Sequence, residues 1–163
     1  VEVDLDVDPA VFDGATLSEA EPYAPARPVE AVTDLVERAT HVSVYTCRFL
    51  SRHARLYHDQ VMSADMTGSF VTTQSVLEQQ AATRPGDMRE AIASGHVAIR
   101  RIDRDDPLTL VLAETPDGPA MGLVVYRDDG PAGFLGNDDP AATRWARSVH
   151  QRLWTAATPF DPT

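Results

Sequence analysis

Three short apolar stretches, Leu108-Thr-Leu-Val111, Met121-Gly-Leu-Val-Val-Tyr126 and Ala132-Gly-Phe-Leu-Gly136, run into Asn137-Asp-Asp-Pro140 and then a segment of helical periodicity. Each stretch has the length of a strand, and turn residues separate them, so together they read as an antiparallel meander. The junction that follows starts a helix. Asp139 offers a carboxylate to free backbone N–H groups, and Pro140 carries the fixed φ of a first helical residue. Ala142, Trp145, Val149 and Leu153 then recur at helical spacing, which predicts an amphipathic helix to Trp154 docked by one face on the sheet. Trp145 is the expected buried anchor of that face.

Upstream of the meander the pattern changes to alternation. Val29, Val32, Leu35, Val36 and Ala39 share one side of a helix started by Pro28. Residues 41–45 read as a strand, and a helix follows over 51–64 with Ser51 as its cap. Residues 70–72 form the next strand, and Ser75 caps a helix carrying Val76 and Leu77. Pro85-Gly86 interrupts the helical pattern, residues 88–94 resume it, Gly95 suits its end, and residues 97–102 form a third strand. Strands alternating with helices imply parallel crossovers. The predicted class is therefore α/β: a mixed, mainly parallel sheet flanked by helices and closed by a C-terminal antiparallel meander.

The N-terminal end is less regular. Residues 1–8 alternate apolar and acidic side chains, as in a half-buried strand or an extended linker, and Pro9 ends them. Residues 15–20 are a candidate strand, and residues 22–28, with three prolines, are a turn-rich crossing. Residues 1–14 are thus set apart as a linker or edge strand, and residues 15–163 as one domain.

Composition narrows the setting. A chain of 163 residues with 43% apolar side chains suits a single globular core. No apolar run approaches the ~20 residues of a membrane span, and no signal peptide opens the chain. Cys47 is the lone cysteine, so no disulfide framework exists and a reducing cytoplasm is expected. All fourteen basic residues are arginine, aspartate outnumbers glutamate 17 to 8, and the net charge is −11. That balance suits a cytosol at molar salt, where the screening length falls to about 3 Å and crowded carboxylates repel weakly. GC-rich coding also exchanges lysine for arginine. The acidity disfavours direct contact with nucleic-acid phosphates, which relies on basic side chains. A start at Val1 rather than methionine is consistent with a piece of a longer protein.

Several chemistries can be weighed from the residues. Cys47 with His53 or His58 would supply the nucleophile and base of a small soluble enzyme, yet no signature of an orienting group or oxyanion donor accompanies them. A lone cysteine after a strand is more often a small packed residue. His53 and His58 are five apart, which does not match the four-residue spacing of paired ligands on a helix face. Gly130 and Gly133 are explained by a turn, and a chain without lysine cannot form a Walker loop. No catalytic residue, metal site or cofactor is therefore assigned. In parallel sheets, ligands gather beyond the carboxyl ends of strands. Tyr45 and Arg48 follow the first predicted strand, Thr72 closes the second, Arg101 the third, and His58 lies on the helix after the first. These five are expected to converge on a ligand pocket, with an arginine gripping the ligand if it is anionic.

The blocks Leu108-Thr-Leu-Val-Leu112, Met121-Gly-Leu-Val-Val-Tyr126, Gly133-Phe-Leu-Gly-Asn-Asp-Asp-Pro-Ala-Ala142, Trp145-Ala and Leu153 resemble a family of archaeal transcription regulators. Its members carry an N-terminal winged helix-turn-helix and a C-terminal domain similar to the middle domain of methanogenesis regulatory proteins, and haloarchaeal members are numerous. Residues 28–39, 41–45, Tyr57-His-Asp-Gln-Val61 and Met88-Arg-Glu-Ala-Ile92 with Gly95 extend the likeness upstream, so that it covers most of the chain from about Pro9.

The resemblance implies a phospholipase D-like fold, as in archaeal sugar-sensing regulators. It also implies an unknown small-molecule effector, a homodimer, and DNA contact only through a winged helix absent from this chain. A membrane partner is not implied, and the setting would be the cytoplasm of a halophilic archaeon. Cys47-Arg-Phe-Leu-Ser-Arg-His53 departs from relatives that are apolar and proline-containing there, so no ligand identity is carried over. The His-x-Lys hallmark of phospholipase D enzymes cannot occur without lysine, so hydrolase activity is not implied. Beside this reading stand a small enzyme built on Cys47 and an interaction module without a ligand.

Overall fold

The computed structural model describes residues 5–20, 27–48, 51–63, 65–127 and 130–160. Its elements in order are β1 (Thr16–Glu19), α1 (Arg27–Glu37), β2 (His41–Thr46), α2 (Ser51–Met62), β3 (Thr67–Thr72), α3 (Gln74–Thr83), α4 (Asp87–Ala93), β4 (Val97–Arg101), β5 (Leu108–Thr115), β6 (Gly118–Arg127), β7 (Gly130–Asn137), α5 (Pro140–Ala156) and β8 (Thr158–Pro159). They form one eight-stranded sheet in the order β1-β7-β6-β5-β2-β3-β4-β8.

The expected α/β architecture, mixed sheet and C-terminal meander are all present. The parallel share is smaller than expected: only β2–β3 and β3–β4 run parallel, and the other five pairings are antiparallel. Alternation of helix and strand informs only the crossovers it contains. It says nothing of β5, which lies antiparallel along the free side of β2.

Period-two alternation sends the sheet's side chains to two cores. On one face Val42, Val44, Phe70, Val111 and Val124 meet Val32, Leu35 and Val36 of α1, Tyr57 and Val61 of α2, and Ala91 of α4. On the other, Tyr45, Val71, Leu110, Leu112, Met121 and Leu123 meet Ala142, Ala146, Val149 and Leu153 of α5.

Helix starts follow local chemistry. Asp139 caps α5 through a 3.0 Å bond from Ala141 N, with Pro140 in the first turn, as the sequence predicts. The cap of α3 is Thr73, whose hydroxyl accepts from Val76 N, and not Ser75, which falls inside the helix. Gly95 follows α4 at φ +82°, a conformation costly for side chains that carry a Cβ. The Ser51 side chain, residue 64, residues 1–4 and most of the proline-rich crossing (21–26) lie outside the described residues.

Two expectations at the chain's ends change. Residues 5–8 belong to no strand of the sheet, with Leu5 and Val7 turned inward on the α5 face and Asp6 and Asp8 outward. Trp145 is only half buried, because the fully buried stripe of α5 runs through Ala142, Ala146, Val149 and Leu153. Its indole covers the N-terminal segment instead, and Nε1 donates to Asp6 O at 3.2 Å. Asn137 completes the clamp: its Nδ2 donates to Val11 O (2.8 Å) and Asp13 O (2.9 Å), and its Oδ1 accepts from Asp139 N. No helix among the described residues is long and apolar enough to cross a membrane.

Candidate functional site

Between the sheet and α2, α3 and α4 lies a cavity of about 650 Å³, counted with its open mouth. The parallel strands β3 and β4 form its floor with Phe70, Thr72, Val97 and Ile99. Tyr57 and Val61 of α2, Val76 and Leu77 of α3, and Met88 and Ala91 of α4 form its walls. The Tyr57 and Phe70 rings meet edge to face with centroids 5.1 Å apart, which fixes the inner end. The walls are mainly apolar with a few polar groups, the character of a small-molecule site.

Polar groups gather where α2 faces α4. His58 Nε2 lies 3.4 Å from Glu90 Oε1 and 3.9 Å from Asp87 Oδ1, and Nδ1 lies 3.8 Å from Asp59 Oδ1. Arg84 Nε lies 2.6 Å from Asp87 Oδ2. Even so, His58 Nε2, Arg84 Nη1 and Asp87 Oδ2 are all buried atoms without a hydrogen-bond partner. His58 Nε2 stands beside the Glu90 carboxylate and Asp87 Oδ2 against the Arg84 guanidinium, so the cluster is a set of close polar contacts at the outer edge of the cavity.

Of the five residues expected to converge, His58 and Thr72 line this cavity and the other three do not. Tyr45 points to the opposite face and is fully buried. Its hydroxyl donates to the Asp106 carboxylate, which also accepts from Arg104 Nε at 2.8 Å. The Arg48 guanidinium sits over the Tyr126 ring, 5.9 Å from its centroid. Arg101 is exposed at the end of β4, where its carbonyl accepts from the Thr158 hydroxyl. Convergence failed because the strand-end rule supplies a location and not a side-chain direction. Thr46, one residue on from Tyr45, is the member of β2 that faces the cavity.

Cys47 has its own surroundings. Tyr45 Oη lies 3.1 Å from Sγ and Asp106 N donates to it at 3.4 Å, while the thiol is placed to donate to Arg104 O. Burial pushes the thiol above its ordinary pKa, and burial together with the Asp106 bond raises the Tyr45 phenol. Burial would also raise Asp106, but hydrogen bonds from Arg104 and Tyr45 outweigh it and hold that carboxyl below its usual value. His53 Nε2 faces Val29 O at 3.3 Å rather than Cys47, and burial lowers its pKa. Among the described residues no group of three or more His, Cys, Asp or Glu side chains is arranged to hold a metal ion.

Sequence reasoning missed the outer wall of the cavity: Gln80, Asp87, Met88 and Ala91. The available signal was the pair of short helices split at Pro85-Gly86, whose apolar residues Val76, Leu77, Met88 and Ala91 need a common surface to cover.

Comparison with solved structures agrees with this architecture. TrmBL2, described as an archaeal chromatin protein with a novel mode of DNA binding, superposes with a TM-score of 0.68 at 10% identity. The match covers 90% of this chain and 54% of that one, so the chain spans about half of TrmBL2. NucT from Helicobacter pylori gives a TM-score of 0.59 at 12% identity, covering 90% of this chain and 98% of its own. Nuc from Salmonella typhimurium, a phospholipase D family member, gives 0.59 at 9% identity, covering 90% and 97%. These likenesses show the expected phospholipase D-like fold. No curated protein matches the chain in sequence. The family model for the methanogenesis regulatory protein FilR1, middle domain, matches residues 25–156, from α1 to the end of α5, and the chain belongs to that family.

Proposed function

We propose that this chain is the effector-sensing domain of an archaeal transcription regulator, and that the cavity beneath α2, α3 and α4 holds the effector. Membership of a regulatory protein's middle-domain family supports the setting. The cavity, where Thr46, His58, Thr72, Gln80 and Asp87 stand among apolar walls, is the observation that carries the site. His58 and Thr72 then contact the effector together with Thr46, Gln80 and Asp87, while Tyr45, Arg48 and Arg101 shape the neighbouring strand ends.

On this reading, DNA is held by a winged helix outside this chain, in keeping with a net charge of −11. Two subunits pair about a two-fold axis, and the effector favours one arrangement of the pair by binding it more tightly. The matching of two DNA half-sites follows from that arrangement. The arginine-only, aspartate-rich composition suits the cytoplasm of a halophilic archaeon. The domain is read as non-catalytic. The Cys47 thiol is buried and raised in pKa, and among the described residues its hydrogen-bond partners are Tyr45, Arg104 and Asp106.

The test is a metabolite screen for thermal stabilisation in molar KCl, run on the parent chain and on Ala54→Phe. Ala54 is a half-buried residue lining the cavity, so the new ring enters the empty space. A ligand at one hundred times its dissociation constant stabilises by about 2.7 kcal/mol, a readily measured rise in melting temperature. Compounds that stabilise the parent and not Ala54→Phe support the site. Stabilisation equal in both chains would place the effector elsewhere.

A further inference from the structure

The side chains that line the cavity leave little for a polar ligand to hold. Its two threonines spend their hydroxyl protons on the protein: Thr72 Oγ1 donates to Thr46 O at 2.8 Å, and Thr46 Oγ1 donates to Arg48 O. Thr46 Oγ1 also accepts from Arg48 N and lies 2.8 Å from Thr109 Oγ1, so its capacity is used up. Thr72 Oγ1 keeps lone pairs to accept with, and the Gln80 amide makes no hydrogen bond among the described residues. Charge is met no better. Among the described residues no arginine lines the cavity, and its lining carboxylate, Asp87, is already paired with Arg84 at 2.6 Å. His58, at the outer edge, faces Glu90, Asp87 and Asp59. The remaining wall is aromatic or apolar, with Tyr57, Phe70, Val76, Leu77 and Met88 foremost.

We infer that the cavity takes a small uncharged ligand, an apolar body the size of one ring carrying no more than one or two hydrogen-bonding groups. This rests on the cavity being the effector site. The space that a water-sized sphere can enter is about 90 Å³, on the order of the ~150 Å³ apolar cavity that admits benzene in another protein. The Tyr57 and Phe70 rings, edge to face with centroids 5.1 Å apart, offer a further ring an edge or a face at the inner end. Thr72 Oγ1 accepts from one ligand hydroxyl, and the Gln80 amide serves a second polar group. A sugar, with a hydroxyl on nearly every carbon, would bury most of them unpaired. An anion would lose its hydration and meet carboxylates at the edge, and an ammonium would compete with Arg84 for Asp87.

The experiment is calorimetric titration of the 163-residue chain in molar KCl with benzyl alcohol, phenol and indole, beside benzoate, benzylammonium and glucose. At least one of the three neutral ring compounds is expected to bind saturably and about tenfold or more tightly than any of the other three, which must shed hydration without gaining partners. Ala54→Phe and Val76→Phe put a ring into the space from α2 and from α3, and each should weaken that binding about tenfold or more. Their unliganded melting temperatures report whether each variant folds, and either one suffices. Benzoate, benzylammonium or glucose binding as tightly as the best neutral compound overturns the inference, as does the failure of all three neutral compounds. Should the metabolite screen instead yield a charged or sugar stabiliser that Ala54→Phe abolishes, the cavity stands as the effector site and only the uncharged class falls. Neutral binding untouched by both variants would overturn both.

Discussion

Phe134 offers the sharpest test of how β6, β7 and α1 pack. Its ring lies over a glycine pair, Gly122 and Gly136, which are register partners across the two strands. A Cβ built on Gly122 would stand 2.6 Å from Phe134 Cε2, 2.8 Å from Cζ and 3.1 Å from Leu35 Cδ2. Carbon atoms pack best at about 3.5–4.0 Å, so the ring would have to retreat by about 1 Å. Leu35 of α1 crowds the same methyl, so movement of the ring alone does not relieve the clash. Gly122→Ala should therefore destabilise by about 1–3 kcal/mol, the usual penalty of overpacking, even though alanine costs the backbone less entropy than glycine.

Phe134→Ala alone should cost about 3–5 kcal/mol, because the ring is buried and leaves a hole. In the double variant the alanine methyl enters space the ring has vacated, and its penalty disappears. The double variant should then be less destabilised than the sum of the two by about 2 kcal/mol. Urea unfolding in constant KCl, followed by the fluorescence of Trp145 and Trp154, gives all four free energies. An unchanged slope with denaturant would show that stability and not compactness has changed. Additivity within about 0.5 kcal/mol, or a neutral Gly122→Ala, would refute the packing described.

Three further outcomes are expected. Burial lowers the folded-state pKa of His53 and His150, so the unfolded chain takes up protons first as pH falls below the ordinary histidine value near 6.5. Stability should be complete above that pH and decline as it drops toward the depressed folded values; a urea midpoint that rises on acidification from about pH 7 to pH 5 would contradict this. Trp145→Ala should cost less than the ~3–5 kcal/mol of a fully buried tryptophan, and hydrogen exchange should rise at residues 5–8, whose Asp6 carbonyl the indole holds; a loss in the full range would mean the indole is buried after all. Cys47 should react with iodoacetamide only as fast as the chain opens, because its thiol is buried and raised in pKa; labelling at the rate of a free thiol in native conditions would exclude that setting.

What was legible in the sequence was what local chemistry decides. Asp139 and Pro140 specify the start of α5 with no help from the rest of the fold, and Gly95 likewise marks the end of α4. The three parallel strands were legible because each is flanked by helices that force a crossover. Sheet order was not, because pairing partners are chosen by contacts far apart in sequence. Nothing near Thr16–Glu19 announces that it will lie against β7, and Thr158–Pro159 is too short to signal that it extends the edge beside β4. Trp145 shows the same limit at the scale of one side chain. Helical spacing placed it beside the apolar stripe, but only the path of residues 5–8 decides that its indole covers that segment and leaves the centre of the interface to Ala142 and Ala146.

The candidate site divides along the same line. His58 and Thr72 share the cavity because a helix after a parallel strand and the end of that strand's neighbour flank one opening. Tyr45 was misplaced by a single residue of alternation, which in a strand is enough to move a side chain through the sheet. The outer wall could not be read at all, since it depends on how α3 and α4 turn about Pro85-Gly86. That joint has consequences for the proposed mechanism. Arg84 ends α3 and Asp87 begins α4, with Gly86 at φ +90° between them, so their ion pair spans the break between the two helices. A ligand that presses on Asp87 and Met88 biases the angle between the helices, whereas one that touches neither leaves it unchanged. Only a difference of that kind, stronger in one helix arrangement than in the other, can carry a binding event from the cavity to a partner subunit.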